Sequence, residues 1–247
     1  PSWRRTVVPT TPVPGAAAIE HPSAAAVRRG PASVRRCPSG VAPPWLPAAG
    51  TTTGSYPASD TAATAVSAIG LGSRGIHDIR PIAETVVAAV SEAGYEPVVI
   101  PAMGSHGGAT PEGQRRTLAG LGLTEDALGC SIDAGTGTVV VGTTARGHEV
   151  PVATAALEAD GIVVVNRVKP HTNFSGAIES GLSKMLTVGL GKRAGARAFH
   201  EAALTHGYVD TIERALEVVR EEAPVVGGVA VVENFHDRTA HVEAIPA

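Results

Sequence analysis

From about residue 65 the chain alternates short apolar runs with longer stretches whose apolar residues recur every three or four positions. That pattern predicts strands alternating with amphipathic helices. VSAIGLGS at 66–73 reads as a first strand. In the stretch that follows, Ile79, Ile82, Val86 and Val90 fall near one helical face, Pro81 sits early, where proline is tolerated, and Gly94 marks the stop. PVVIPAM at 97–103 is a second strand, after which Thr110 and Pro111 supply a cap and a first-turn proline for a helix ending near Gly120. TVVVGTT and HEVPVA flank Ala145-Arg146-Gly147, a hairpin turn. Next come a short helix at 154–159, the apolar strand GIVVVN at 161–166, and a helix through Lys184 striped by Ile178, Leu182, Met185 and Leu186. A helix through His200, another at 209–221, the strand GGVAVVEN and a strand-like HVEAI complete the series. This order implies an α/β fold: a largely parallel sheet with helices on both faces.

Residues 1–66 break the pattern. They are rich in Pro, Ala, Ser, Thr and Arg and show neither alternation nor helical period, so they read as a disordered or aberrant low-complexity segment, such as a shifted reading frame would produce. An Arg-rich, acid-poor presequence is the alternative, although no amphipathic helix accompanies the arginines. The folded domain is accordingly expected over 67–247, and the chain is expected to be a fragment, since it starts at Pro1 and stops just after HVEAI.

A net charge of −3 favours no partner class, and with 3% aromatic residues and no basic block the chain offers little for nucleic acid to stack on or pair with. No run of about 20 apolar residues suggests a membrane span. Cys37 and Cys130 lack a CxxC spacing, and a reducing cytoplasm is the expected location.

The chemistry gathers in 166–192, NRVKPHTNFSGAIESGLSKMLTVGLGK, where His171, Lys169, Lys184, Lys192 and several glycines follow the apolar GIVVVN strand. Ligands of open α/β sheets bind beyond the carboxyl ends of strands. PVVIPAMGSHGG repeats the design, with glycines around His106 allowing a sharp turn and close approach of a ligand. A solvated loop histidine is the plain alternative for His106, and a capping or core histidine for His171. Lys184 points off its helical stripe, as a merely solvated lysine also would. His200 alone, in an alanine-rich helix, would read as structural. His77, His148, His206, His236 and His241 match no motif.

GSRG at 72–75, AMGSHGGAT at 102–110, VNRVKPHTNFSG at 165–176, and Lys184 and His200 together resemble the lactate racemase family and its nickel-pincer-dependent relatives. The likeness runs from about Ala68 to the C-terminus and is closer to another branch than to lactate racemase itself, so the substrate does not transfer with the fold. The resemblance implies a second α/β domain, which is expected to be absent from this chain. It implies a nickel-pincer nucleotide, a pyridinium mononucleotide carrying thioamide and thiocarboxylate groups that hold nickel, supplied by cofactor-synthesis proteins. Lys184 matches the lysine that tethers it, although its spacing from Phe174-Ser175-Gly176 is longer than in lactate racemase. His200 matches the nickel ligand, and imidazole suits that ion. Arg74 resembles the family's arginine near substrate and cofactor. Lys169, Lys192 and the amides around Gly189 and Gly191 could serve the nucleotide phosphate.

The reaction so implied is racemisation or epimerisation of a 2-hydroxy acid. The cofactor exchanges hydride with C2 while His106 and His171 act as two bases, since imidazole titrates near neutrality. A non-catalytic or degenerate fragment of the family is one alternative. A metal-free α/β oxidoreductase is another, disfavoured because no GxGxxG opens a helix after a strand.

Overall fold

The structure, a computed structural model, describes residues 65–73, 75–171 and 174–247. The expectations for residues 1–64 and for Arg74 lie outside the described residues. Val66, assigned above to the leading segment, is already the first residue of a strand.

In chain order the elements are β1 (Val66–Leu71), α1 (Ile79–Glu92), β2 (Glu96–Pro101), α2 (Pro111–Ala119), α3 (Glu125–Leu128), β3 (Ser131–Ile132), β4 (Thr138–Thr143), β5 (Glu149–Ala153) and α4 (Thr154–Leu157). They continue with β6 (Gly161–Arg167), α5 (Leu182–Lys184), a π-helical turn at Met185–Gly189, α6 (Lys192–His206), α7 (Tyr208–Glu222), β7 (Val225–Glu233) and β8 (Thr239–Pro246). Six strands form one sheet in the order β3-β2-β1-β6-β7-β8, parallel except for β8, which runs antiparallel to β7 at the edge. The α/β class with a mostly parallel sheet is as the pattern predicts.

Each strand divides its side chains between two cores because successive residues face opposite ways. Ile69, Leu71, Val99, Val163 and Val165 pack beneath α1 with Leu118 and Leu128, where α1 contributes Ile79, Ile82, Val86 and Val90 as its periodicity foretold. Ala68, Ile100, Ile162 and Val164 pack on the other face against β5, the π turn and α7. Helices therefore cover both faces, and the antiparallel β4–β5 hairpin joins the second layer. Thr110 caps α2 as expected, its hydroxyl accepting the Gly113 N–H at 3.1 Å.

The helix expected to run through Lys184 is shorter than its apolar stripe suggests. Gly181, at φ 139°, interrupts the chain after Ile178, so α5 begins only at Leu182 and passes directly into the π turn. The chain then reverses into α6. Gly191 has an ordinary φ of −67°, and the left-handed residue is Lys192, at φ 52°.

Candidate functional site at the carboxyl ends of β1, β2 and β6

β1 has β2 on one side and β6 on the other, so the connections leaving the two sides diverge at their carboxyl ends. Such a switch point leaves a crevice in which open α/β sheets bind ligands. Three loops meet there: Ser73 follows β1, His106 follows β2 and His171 follows β6. One strand separates β2 from β6, which sets the bases of the two histidine loops about 10 Å apart.

The His106 loop turns through left-handed glycines at Gly104 and Gly107, with φ of 59° and 66°. His106 itself is exposed, and its Nδ1 is hydrogen-bonded to the Ser73 hydroxyl. That bond fixes the ring's orientation from the neighbouring strand. Beneath the loop, Gln114 is fully buried and donates from Nε2 to the carbonyls of Gly104 at 3.2 Å and His106 at 3.4 Å. Gln114 Oε1 in turn accepts from Lys192 Nζ at 3.3 Å, and the same amine donates to the Pro101 carbonyl at 2.8 Å. Lys192 is 1% exposed, and burial pushes its amine down to about 8.

The His171 loop is closed at its base by Asn166, whose Nδ2 donates to the Gly181 carbonyl at 3.0 Å. Within it the Glu179 carboxylate accepts the backbone N–H of His171 at 2.6 Å and of Gly176 at 2.9 Å. These two donors, Gly176 first, hold the Glu179 carboxyl below the usual carboxylate range. Across the loop, Lys184 Nζ donates to His171 Nε2 at 2.8 Å. The His171 ring stacks on Phe174, with centroids 4.2 Å apart, and Phe174 stacks on Tyr208 at 4.7 Å. Tyr208 meets Phe199 at 5.7 Å, and Phe199 meets the exposed His200 at 5.5 Å. A continuous row of rings thus joins His171 to His200.

Two further contacts knit the loops together. The Gly104 N–H donates to the Gly189 carbonyl at 3.1 Å, tying the His106 loop to the turn that follows Lys184. Glu233 accepts the His77 N–H at 2.6 Å and is paired with Arg167, which anchors the β1 loop to β6 and β7.

The profile of the lactate racemase N-terminal domain matches residues 73–211, more than half of the chain and the segment that carries these loops. The chain belongs to that family. Its fold is similar to that of the lactate racemase apoprotein from Thermoanaerobacterium thermosaccharolyticum, with a TM-score of 0.52 and 14% sequence identity. The similarity covers 74% of this chain and 46% of that one, so the chain spans less than half the length of that racemase. No curated protein matches the sequence.

Within this domain the structure brings Lys184 and His171 into direct contact and links His200 to them through three rings. His106 lies on the adjacent strand end with Ser73. Lys169 is exposed just beyond β6. Gly189, Gly191 and Lys192 are buried instead of lining the open side. A Cβ on Gly189 would lie 2.6 Å from the Ala102 carbonyl oxygen, and one on Gly191 would lie 2.6 Å from that of Thr187, so both glycines serve close backbone approach. Ser73, Gln114 and Glu179 were not singled out from sequence. Glu179 carried a faint signal as the one acid inside 166–192. Among the described residues no group of three His, Cys, Asp or Glu side chains could hold a metal ion, and no helix is long and apolar enough to cross a membrane.

Proposed function

We propose that this domain contributes the proton-transfer and cofactor-holding half of a racemase or epimerase acting on a 2-hydroxy acid with a nickel-pincer nucleotide. The observation that carries the reading is the 2.8 Å contact between Lys184 Nζ and His171 Nε2 at the sheet's switch point. The donor set fits the cofactor: a partly buried amine able to form an amide-type tether, and one exposed imidazole, on the neighbouring helix, for nickel. Lys184 would hold the nucleotide and His200 the metal. When bound, the group supplies hydride acceptance and return at the substrate's C2 carbon.

His106 and His171 would each hold or move the proton of the substrate hydroxyl. The Ser73 hydroxyl orients His106, and the Glu179 clasp and the Phe174 face orient His171. Lys169 and Arg74 suit anionic groups, a phosphate or the substrate carboxylate. Lys192 is occupied by Pro101 and Gln114 and supports the His106 loop from below. Cofactor-synthesis proteins would be its partners, in a cytoplasmic setting.

Co-expression of the full-length protein with cofactor-synthesis proteins tests the reading. Intact-protein mass spectrometry should show a covalent increase that Lys184→Ala abolishes. His200→Ala should lower nickel content while leaving the organic adduct, because removing a ligand weakens metal affinity without touching the tether. His106→Ala and His171→Ala should each slow racemisation by roughly 10²–10⁴-fold. An adduct that survives Lys184→Ala would overturn the assignment of the tether and turn attention to Lys169. Adduct formation with no turnover of any 2-hydroxy acid would favour a non-catalytic member.

A further inference from the structure

A pocket whose space, open solvent at its mouth included, comes to about 450 Å³ lies between the β4–β5 hairpin and the facing sides of α6 and α7. None of the strand-end loops lines it. Its wall is apolar, with Val150, Phe199 and Ala202 all buried. Its polar lining includes Arg146 and His148 from the hairpin, His206 from α6, and Asp210 and Arg214 from α7.

Asp210 sits between the two arginines. Its Oδ1 accepts from Arg214 Nε at 2.9 Å, and its Oδ2 lies 3.6 Å from Arg146 Nε. Both contacts use Nε, so among the described residues the terminal amino groups of both guanidiniums stand outside these ion pairs. Those groups carry the donors with which arginine grips a second carboxylate. His148 Nε2 is buried without a hydrogen-bond partner, and its ring lies 5.2 Å from that of His206. Buried polar atoms are rarely left unpaired, and His148 is one of the residues that line the pocket. Asp210 Oδ2, 3.6 Å from Arg146 Nε, is likewise buried without a hydrogen-bond partner, but a cation there would face both guanidiniums. The acid Glu149, at the rim, is exposed.

We propose that this pocket binds a small carboxylate with a short apolar body, the carboxylate taken by Arg146, Arg214 and His148 and the body by Val150, Phe199 and Ala202. The site is separate from the strand-end cluster yet adjoins it. Phe199 forms part of the pocket wall and also contacts the rings of His200 and Tyr208. Occupancy is therefore felt at the row of rings that ends on His171, and the ligand is a regulator of that site instead of its substrate.

The test is titration of the full chain with sodium butyrate and, separately, with butyramide, followed by NMR of the histidine, phenylalanine and tyrosine side chains. Butyrate should give saturable shifts at His148, Phe199 and Tyr208, and butyramide should bind roughly tenfold more weakly or not at all, since it lacks the charge that the arginines read. Arg214→Gln and His148→Phe should each weaken butyrate by about tenfold or more, and Lys184→Ala should leave it unchanged. Arg146→Gln, on the exposed hairpin turn, decides the matter if either of the first two variants fails to fold. Equal affinity for butyrate and butyramide, no saturation, or unchanged binding in the arginine variants would overturn the proposal. Loss of binding in Lys184→Ala would place butyrate in the strand-end site and overturn it as well, without bearing on the tether assignment, which the mass adduct reads independently.

Discussion

Glu179 shows how one side chain can set the pose of a candidate catalytic residue without touching substrate. Its carboxylate gathers the N–H groups of His171 and Gly176, which hold the chain on both sides of Phe174. Because its folded-state titration lies below the ordinary 4.5, the clasp is fully present above that value and is lost as pH falls through the lower folded one. Glu179→Gln keeps one acceptor oxygen but gives up the charge that strengthens both bonds. Amide hydrogen exchange at His171 and Gly176 should therefore quicken in the variant by about tenfold, while exchange in β6 stays unchanged. Equal exchange in the two proteins would show that Asn166 and the ring stack hold the loop alone. At this scale the sequence was half legible. His106 and His171 could be picked out as histidines that follow strands, and Lys184 through the family resemblance, since on its helix it read equally as a solvated lysine. Ser73 and Glu179 could not, because their roles arise from hydrogen bonds between segments that only the fold brings together.

Among the elements, the passage from α5 through the π turn into α6 departs most from the sequence reading. Periodicity registered Leu182, Met185 and Leu186 correctly as inward-facing, but an apolar stripe does not reveal a break at Gly181 or a widened turn. Nor does it separate glycines needed for φ from glycines needed for space. Gly189 belongs to the second kind, so Gly189→Ala forces a methyl against the Ala102 carbonyl and the Met185 sulfur, whose Sδ lies 2.9 Å from the Cβ position. A cost of about 1–3 kcal/mol is expected from such overpacking, visible as a thermal transition lower by several degrees. α6, which follows this turn, opens at Lys192, whose burial has a pH signature. Between the folded value of about 8 and the ordinary 10.5, the unfolded chain binds a proton that the folded chain does not. Folding stability should thus rise with pH across that window and be lower beneath it. Lys192→Met removes this contribution. Urea denaturation at pH 7.5 and at pH 10 should show wild-type stability gaining on the variant's by on the order of 1–3 kcal/mol between the two. Parallel behaviour of the two proteins would mean that the amine stays charged in the fold.

For the whole molecule, strand order predicts where structure is held most firmly. The strand set was readable in sequence because parallel strands buried on both faces form unbroken apolar runs, as in GIVVVN. Their order was not, because β1 is flanked by β2 and β6, and nothing local in any one segment specifies a neighbour about a hundred residues away. One short edge element escaped recognition, β3, which has only Ser131–Ile132, whereas the edge strand β8 was legible in HVEAI despite its mostly exposed pattern. In β1 and β6 the residues from Ala68 to Leu71 and from Ile162 to Val165 are buried and pair on both sides, so their amides can exchange only through the largest opening of the domain. β3 and β8 are edges and open locally. Native-state hydrogen exchange should therefore rank β1 and β6 slowest, β2 and β7 next, and β3 and β8 fastest, with the outermost strands about 10²-fold or more faster than the centre. The ranking has a functional corollary: the Ser73 and His171 loops grow from the two slowest strands, so the switch-point crevice would keep its geometry while the β7–β8 edge fluctuates. Protection in β8 equal to that in β1 would show the sheet opening as one unit, and would remove the basis for a rigid floor beneath a mobile edge.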